Sequence, residues 1–292
     1  MATHGSTKAD QGGFQLARGV GAGYLPALFQ YPLIYVQESI RAMEKASLPP
    51  AETKAVEVRR MFSAIAGRYD LLNHLLSMNR DKTWRRIAVD AVLQGRLRHA
   101  PEPGRFAQGA LVLDSCAGTL DLSVELAKRA EFQGTVLGFD FTFPMLAGGV
   151  SKLKGLRILP ACADALTLPL SDASVDGAMV AFGVRNVADL DACLHEFARV
   201  VRPGGRLVIL EFTTPQWQPF RAAYLSYFRH ILPLVGRMIS KHGSAYSYLP
   251  ASVLAFPEPD ALKQRMMTAG FDAVTWKPLT GGIVAIHAGT RL

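Results

Sequence analysis

The chain has 292 residues, of which 49% are hydrophobic and 19% charged, and this composition excludes an intrinsically disordered protein. Its 32 Lys and Arg residues against 24 Asp and Glu residues give a formal net charge of +8, which allows an anionic partner without requiring one. Three cysteines cannot all pair, and their spacing fits no zinc or redox motif. The sequence therefore predicts no metal site and a reducing compartment.

The first 54 residues are predicted to be an N-terminal extension, partly flexible, ahead of one main domain at residues 55–292. Gly, Thr and Gln dominate residues 1–23, and Ser47-Leu-Pro-Pro50 ends the apolar run that follows. The two longest apolar stretches, residues 20–36 and 224–239, are interrupted by proline or arginine and are too short for a membrane span. Motifs typical of nucleic-acid binding are absent from the sequence, so we expect no nucleic acid as partner.

The middle of the chain predicts helices followed by strands and helices in alternation. Between residues 52 and 93 apolar side chains recur at spacings of three and four, which is typical of helices, and residues 94–108 form a polar connection. Helical patterns, notably residues 189–201, separate several of the apolar runs that follow. Short apolar runs occupy residues 110–114, 135–140, 156–161, 174–181 and 205–212. Strands that alternate with helices indicate βαβ units and a parallel sheet, and residues 272–276 and 282–287 predict a hairpin at its edge.

Polar residues at the ends of the first three predicted strands indicate a nucleotide-like ligand. A strand that ends in a small-residue turn brings backbone N–H groups close to a ligand at the start of a helix. An acid at the end of the second strand stands where a doubly wound fold binds a ribose. Each feature alone also fits an ordinary turn or a solvated loop residue, but together they favour an adenosine-containing ligand. The candidate residues are Asp114, Gly118, Thr119, Asp140, Asp164 and Ala165.

Longer motifs give the chain a resemblance to a known family. They include Tyr69-Asp70-Leu-Leu-Asn73, Phe182-Gly183-Val-Arg185-Asn186 and Leu279-Thr-Gly-Gly-Ile-Val-Ala-Ile-His287. With these segments, residues 55–292 resemble the class I S-adenosylmethionine-dependent methyltransferases, and more narrowly the family that C-methylates the ring in ubiquinone and menaquinone biosynthesis. The resemblance implies an α/β, Rossmann-like fold whose mostly parallel seven-stranded sheet has an antiparallel edge hairpin and is preceded by N-terminal helices.

The resemblance also implies an activity. The cofactor is expected to be S-adenosyl-L-methionine, and the acceptor a ring carbon of a polyprenylated quinol, either demethylmenaquinol or 2-methoxy-6-polyprenyl-1,4-benzoquinol. Two alternatives stay open: a methyltransferase for another lipophilic aromatic acceptor, and a catalytically silent homologue that acts as a scaffold in a quinone-biosynthesis complex. The expected location is cytoplasmic. A peripheral contact with an anionic membrane at its inner face and a homodimer stay open as further associations.

The residues expected to act on the acceptor are Arg185, Asn186 and Tyr69. A guanidinium can hold a quinol or phenolate oxygen through charge-assisted hydrogen bonds, and Asp140 could assist proton removal through water. Each of these residues also has a purely structural alternative. Arg185 could pair with a loop acid, Asn186 could cap the helix that starts near Asp189, and Tyr69 could pack in the core.

Three further positions carry expectations. Leu120 stands where the family usually has glycine, so its side chain could crowd the methionine end of the cofactor or cover it. Residues 224–238 have aromatic and apolar side chains at helical spacing, which fits either core packing or a channel for a polyprenyl tail, beside basic residues suited to anionic headgroups. His287 is expected to be structural rather than catalytic.

Overall fold

The computed structural model describes residues 48–50, 53–70, 73, 77–97, 109–227 and 244–292. All of these residues belong to one compact unit. Most of the predicted N-terminal extension lies outside the described residues, so its boundary at residue 54 stays a prediction. Within the described ranges, no helix combines the length and the apolar character that crossing a membrane requires.

Seven strands of the described residues form one sheet, in the order β3-β2-β1-β4-β5-β7-β6. Strands β1 to β5 are parallel to one another, whereas β7 runs antiparallel to both β5 and β6. The predicted α/β fold with an antiparallel edge hairpin is therefore confirmed, with β6 at the edge. The strands are β1 Leu111–Ser115, β2 Thr135–Asp140, β3 Ile158–Cys162, β4 Val175–Ala181, β5 Val201–Phe212, β6 Phe271–Leu279 and β7 Val284–Arg291.

Helices cover both faces of this sheet, each against its own cluster of buried apolar side chains. This two-sided burial explains why the central strands are nearly continuous apolar runs. The helices are α1 Lys54–Ile65, α2 Arg80–Leu97, α3 Asp121–Ala127, α4 Phe143–Gly149, α5 Leu190–Val200, α6 Gln218–Ser226, α7 Ser244–Ala255 and α8 Pro259–Thr268. Short 3-10 turns lie at Ala66–Arg68, Val150–Leu153, Val184–Asn186 and Thr280–Gly282.

Several element boundaries differ from the sequence-based expectation, among them those of α2 and β5. Helix α2 continues to Leu97, past the predicted start of the polar connection, since a straight-chain residue such as Gln94 loses little freedom in a helix. Strand β5 begins at Val201 instead of Gly205, because Val201 pairs with Val175 before the register shifts at Gly177. Neither difference moves the carboxyl ends of the strands, where the polar residues of interest lie.

Candidate active site

A pocket opens at the carboxyl ends of β1, β2 and β4, on the edge where parallel sheets bind ligands. We call it the strand-end pocket. Its wall includes four of the predicted cofactor residues. These are Gly118, Asp140, Asp164 and Ala165. The helical segment that precedes α2 covers the pocket, and Phe182, Gly183 and Asn186 close it on the side of β4.

Asp140 is held at the end of β2 by backbone donors. Its Oδ2 accepts from the N–H of Gly118 at 2.9 Å and its Oδ1 from the N–H of Thr142 at 2.7 Å. Burial raises the pKa of Asp140 above its usual range, against the lowering effect of these hydrogen bonds. An ionised carboxylate has about four acceptor positions, so two remain for the hydroxyls of a ribose. Gly118 and Asp140, both singled out from the sequence, therefore lie in one pocket.

The pocket fits an adenosine-containing group at both of its ends. Gly118 has φ +54°, a backbone conformation that residues with a side chain rarely adopt, so glycine here leaves the backbone bare for a ligand. At the other end Asp164 Oδ1 accepts from the N–H of Leu166 at 2.9 Å, which fixes a carboxylate beside Ala165. A carboxylate so placed suits the amino group of an adenine.

Asp114 and Thr119 lie behind the wall of the strand-end pocket. Asp114 is buried and accepts from the hydroxyl of Ser123 at 2.5 Å. Desolvation raises its pKa to about 7, with Asp140 adding to the increase. The hydroxyl of Thr119 donates to Asp70 at 2.5 Å instead of facing the pocket. Both residues shape the loop that carries Gly118, and their direct contact with a cofactor stays a prediction.

Leu120 is not in the wall of the strand-end pocket. Its side chain is fully buried in the core, beside the positions that a Cβ on Gly138 or on Gly149 would take. The hypothesis that Leu120 crowds or covers the cofactor is therefore contradicted, because its left-handed backbone, with φ +66°, turns the side chain into the core. The scaffold alternative rested on this residue and loses its sequence support.

We call residues 54–70, which comprise α1 and the 3-10 turn after it, the covering segment. One face of this segment closes the strand-end pocket. Ala55, Phe62 and Tyr69 are seven residues apart, which places them on the same helical face, and all three are in the pocket wall. Burial raises the pKa of Tyr69, whose hydroxyl has a hydrogen bond with Asn73. Tyr69 was predicted as a site residue from the sequence. Ala55 and Phe62 were not, although their seven-residue spacing from Tyr69 could have indicated a shared helical face.

Two lysines fasten the ends of this covering segment, and sequence analysis missed both. At the start of α1, Lys54 Nζ donates to the carbonyl of Val187 at 2.6 Å and to that of Arg185 at 3.3 Å. At the other end, Lys152 Nζ donates to Asp70 and to Asp121, at 2.6 Å in each case. The segment is thus joined to the loop after β4 and to the cofactor loop.

A second space, which we call the aromatic cavity, lies on the other side of Tyr69 and has a volume of about 420 Å³. Among the described residues, Phe62, Tyr69 and Phe182 belong to the walls of both spaces, so the two spaces meet at these side chains. The rings of Phe182 and Phe212 lie 4.6 Å apart. Other wall residues are Trp84, Asn73, Phe220, Tyr224, Tyr227, Tyr248 and Thr280.

Arg185 contributes a buried cation to the aromatic cavity. Its Nη1 donates to Glu211 Oε1 at 2.7 Å and to the carbonyl of Phe182 at 2.5 Å. Its guanidinium carbon lies 5.3 Å from the centre of the Phe212 ring. Among the described residues, its buried Nε has no hydrogen-bond partner. Arg185 does pair with an acid, as its structural alternative predicted. That acid lies in β5 rather than in a loop, however, and the Nε–H donor of Arg185 has no partner among the described residues.

Asn186 lies in the wall of the strand-end pocket rather than at a helix end. Its Nδ2 donates to the carbonyl of Phe182 at 3.3 Å, and its Oδ1 accepts from the hydroxyl of Tyr248 at 3.1 Å. The N-cap of α5 is Asp189, whose carboxylate accepts from the N–H of Ala192. The alternative in which Asn186 caps that helix is therefore wrong.

The remaining expectations concern the C-terminal half. Tyr224 and Tyr227 line the aromatic cavity, which favours the channel interpretation for the start of residues 224–238, while residues 228–243 lie outside the described residues. His287 is buried on β7, with its Nε2 2.9 Å from the carbonyl of Pro259 and its ring stacked on Trp276. It is in neither wall, as expected of a structural histidine.

Comparison with known proteins supports a methyltransferase site. A family model described as the ubiE/COQ5 methyltransferase family matches residues 50–291. The demethylmenaquinone methyltransferase of Thermus thermophilus is 47% identical over 79% of this chain and 100% of that protein. The ubiquinone/menaquinone biosynthesis C-methyltransferase UbiE of Geobacter sulfurreducens is 39% identical over 82% of this chain and 90% of that protein.

The fold has neighbours among solved structures as well. One is a chain in the complex between the Haloferax volcanii Trm112 methyltransferase activator and a methyltransferase. The TM-score is 0.52 with 15% identity, over 78% of this chain and 96% of that chain. This level of identity speaks to the fold alone, and the fold agrees with the one that the sequence predicts.

Proposed function

The chain belongs to the ubiE/COQ5 methyltransferase family, and we propose that it methylates a ring carbon of a polyprenylated quinol. It is a methyltransferase that uses S-adenosylmethionine, and the chemistry which this cofactor supplies is an electrophilic methyl group. The observation that carries the proposal is the meeting of two spaces at Tyr69 and Phe182, one suited to an adenosyl group and the other apolar with a buried guanidinium.

The residues of the strand-end pocket would hold the cofactor. Asp140 would accept from the ribose hydroxyls, Asp164 and Ala165 would meet the adenine, and Gly118 would allow close approach of the backbone. The side chains shared by both walls would then lie between the cofactor and the acceptor. Because the covering segment is fastened at both ends, the residues keep water away from the space where transfer takes place.

The aromatic cavity would hold the acceptor. Phe182, Phe212 and Trp84 form a cluster that suits the faces of a quinol ring, while Tyr224 and Tyr227 line the side on which a prenyl tail could leave. A volume of about 420 Å³ is within the range of ligand pockets and exceeds what a ring alone fills. The relatives from Thermus thermophilus and Mycobacterium marinum are named demethylmenaquinone methyltransferases, so we propose a naphthoquinol ring as the acceptor.

Arg185 has the central chemical role in this proposal. A quinol carbon becomes a good nucleophile only as a neighbouring hydroxyl loses its proton, so negative charge grows on that oxygen. The guanidinium keeps its proton at any working pH and lies in the cavity wall, where it would stabilise the charge. Asp140, in the wall of the adjoining strand-end pocket, would receive the proton through water.

Turnover by purified protein on a demethylated naphthoquinol tests this function. We expect the wild type to methylate it, and Arg185→Ala to lower turnover by about 100-fold, the usual loss when one oxyanion donor is removed. Cofactor affinity should change little, since Arg185 is not in the wall of the strand-end pocket. Near-normal turnover by the alanine variant would contradict the role of Arg185.

Two outcomes would favour the other interpretations. A protein that binds S-adenosylmethionine but methylates no quinol would indicate a different lipophilic acceptor, and one that binds neither would indicate a scaffold. Mass spectrometry of quinones in cells lacking the chain names the acceptor directly, because the unmethylated ring accumulates.

A peripheral contact with an anionic membrane is part of the proposed setting. A prenylated acceptor is held in lipid, the chain has a net charge of +8, and Met78 in the cavity wall is 80% exposed. Trp217, three residues before the cavity residue Phe220, is 71% exposed. These features support a surface that rests on lipid beside the cavity opening.

A further inference from the structure

Glu211 neutralises the guanidinium of Arg185 without itself facing the aromatic cavity. Besides the bond to Arg185 Nη1, its Oε2 accepts from the N–H of Arg185 at 3.3 Å and its Oε1 from that of Phe212 at 2.8 Å. The side chains of Glu211 and Arg185 are 2% and 6% exposed. Glu211 is not in the wall of the cavity, so its carboxylate acts there only through Arg185.

This pairing decides what kind of ligand the cation attracts. A buried guanidinium without a counterion would bind a carboxylate strongly, because charges interact strongly in a medium of low dielectric constant. Paired with Glu211 it has no net charge, and Nη1 is already used by Glu211 and Phe182. The neutral pair therefore attracts a carboxylate less strongly than a lone guanidinium would, whereas the binding of an uncharged phenolic ring depends much less on this charge.

Other charges of the cavity wall do not alter this balance. Asp81 and Arg85 form an ion pair with each other, and Arg80 is exposed to solvent. Within the described part of the chain, the Arg185–Glu211 pair is therefore the charged group that an aromatic ring meets when it lies against Phe182 and Phe212.

We propose that Glu211 is a specificity-determining residue, which makes the aromatic cavity select uncharged phenolic rings over aromatic carboxylates. The inference rests on the proposed function, because it takes this cavity as the acceptor site. It goes beyond it by assigning to Glu211 the rejection of a class of ligand. Glu211 does not touch the acceptor, so it acts through the charge of Arg185.

The test compares two probes that differ by one carboxylate: 1,4-dihydroxynaphthalene and 1,4-dihydroxy-2-naphthoate. Their dissociation constants are measured anaerobically at pH 7.5 by quenching of tryptophan fluorescence, since Trp84 is in the cavity wall. We expect the wild type to prefer the uncharged ring. Glu211→Gln should shift the ratio of the two constants about tenfold or more toward the carboxylate, because the guanidinium is then uncompensated.

Two more variants give the experiment a sign. Arg185→Gln leaves a lone carboxylate and should shift the ratio in the opposite direction, whereas Arg185→Gln combined with Glu211→Gln should return it to within about threefold of the wild-type ratio. If Glu211→Gln alone does not fold, these two variants decide the matter. A merely structural role of Glu211 would weaken both probes equally and leave the ratio unchanged.

Asp176→Asn is the matched control. Asp176 is also buried and accepts from an arginine, Arg202, at 2.7 Å, but it lies at the opposite end of β4 from the cavity. Its variant should lose stability and keep the ratio. A ratio that is unchanged by Glu211→Gln, or that shifts as much in Asp176→Asn, would overturn this inference but leave the proposed function standing. A wild type that binds neither probe would contradict the proposed acceptor site and the inference with it.

Discussion

Leu120 shows how one side chain is used differently from the glycine usual at its position. It adopts φ +66°, a conformation that costs a non-glycine residue roughly 1–2 kcal/mol, yet its side chain is fully buried. A core leucine contributes more than this strain removes, because truncation of buried leucines costs roughly 2–5 kcal/mol. The loop has therefore adapted to leucine by turning the side chain into the core.

Leu120→Gly should lower the free energy of unfolding by about 2 kcal/mol, since the relief of strain offsets only part of the lost burial. Denaturant unfolding measures this loss, and calorimetry should show no tighter binding of S-adenosylmethionine. Ala273→Gly is the control, because Ala273 also has positive φ, +48°, but is exposed. It should gain stability by up to about 1 kcal/mol. Tighter cofactor binding by Leu120→Gly would revive the crowding hypothesis.

Asp114 predicts a dependence of stability on pH. Burial raises its pKa to about 7, above the ordinary 3.8, so the folded chain holds a proton that the unfolded chain has lost. Its stabilising contribution is complete below pH 4 and is lost as the pH rises through 7. Relative to Asp114→Asn, the wild type should lose roughly 2–3 kcal/mol of unfolding free energy between pH 5 and 7.5.

Urea unfolding at several pH values measures that difference. Asp70→Asn is the control, since hydrogen bonds from Lys152 and Thr119 hold the pKa of Asp70 below its usual range despite partial burial. Its contribution is lost only as the pH falls through this low pKa, so the control difference should be constant between pH 5 and 7.5. A wild-type curve parallel to that of Asp114→Asn would show that Asp114 is ionised in the folded chain.

At the scale of elements, the covering segment is held at one end by its own Lys54, which reaches the loop after β4, and at the other by Lys152 from a distant part of the chain. Lys152 reaches it from the turn after α4 and joins Asp70 to Asp121 at the start of α3. Since Tyr69 precedes Asp70 and lies in both walls, these ion pairs hold Tyr69 in place between the two spaces. We therefore expect the exchange of cofactor to depend on movement of this segment.

Lys152→Met should speed cofactor dissociation about fivefold, because it removes both ion pairs while keeping the apolar part of the side chain. The loss of stability should be below about 1 kcal/mol, since the pairs are partly exposed. Stopped-flow fluorescence measures the dissociation rate. The exposed Lys154, two residues away, gives the control Lys154→Met, which should leave it unchanged. Equal rates in wild type and Lys152→Met would show that another element limits exit.

The elements themselves follow from the sequence more directly than their contacts do. Alternating apolar runs predicted five parallel strands and the terminal hairpin, because strands buried on both faces need continuous apolar side chains. Asp140 and Asp164 were found because strand ends concentrate ligands. Lys54, Lys152 and Glu211 were not, since their partners lie far away in sequence and no local pattern records such pairings. The role of Arg185 depended on the resemblance.

At the scale of the whole molecule, charge and exposed apolar side chains bear on how the chain meets a lipid-borne acceptor. A net charge of +8 attracts it to an anionic surface, but only within about one Debye length, roughly 8–10 Å at physiological salt. Lasting contact therefore needs apolar side chains that enter the interface. Met78 and Trp217 are exposed, and both are linked to the aromatic cavity, the first through its wall and the second through α6.

We expect binding to vesicles that contain phosphatidylglycerol, weaker binding to vesicles of phosphatidylcholine alone, and a decline with salt. Met78→Ser combined with Trp217→Ser should lower binding several-fold, because each removes apolar area from the interface. Cosedimentation at 50 and 500 mM salt measures this. Leu159→Ser is the control, since Leu159 is 58% exposed but belongs to β3, at the opposite edge of the sheet from β6, and should bind like wild type. Turnover on a short-chain, water-soluble quinol should be equal in all three proteins. Vesicle binding that ignores the double substitution would place the lipid contact on another surface, and a loss of turnover on the soluble quinol would show that these side chains shape the cavity instead.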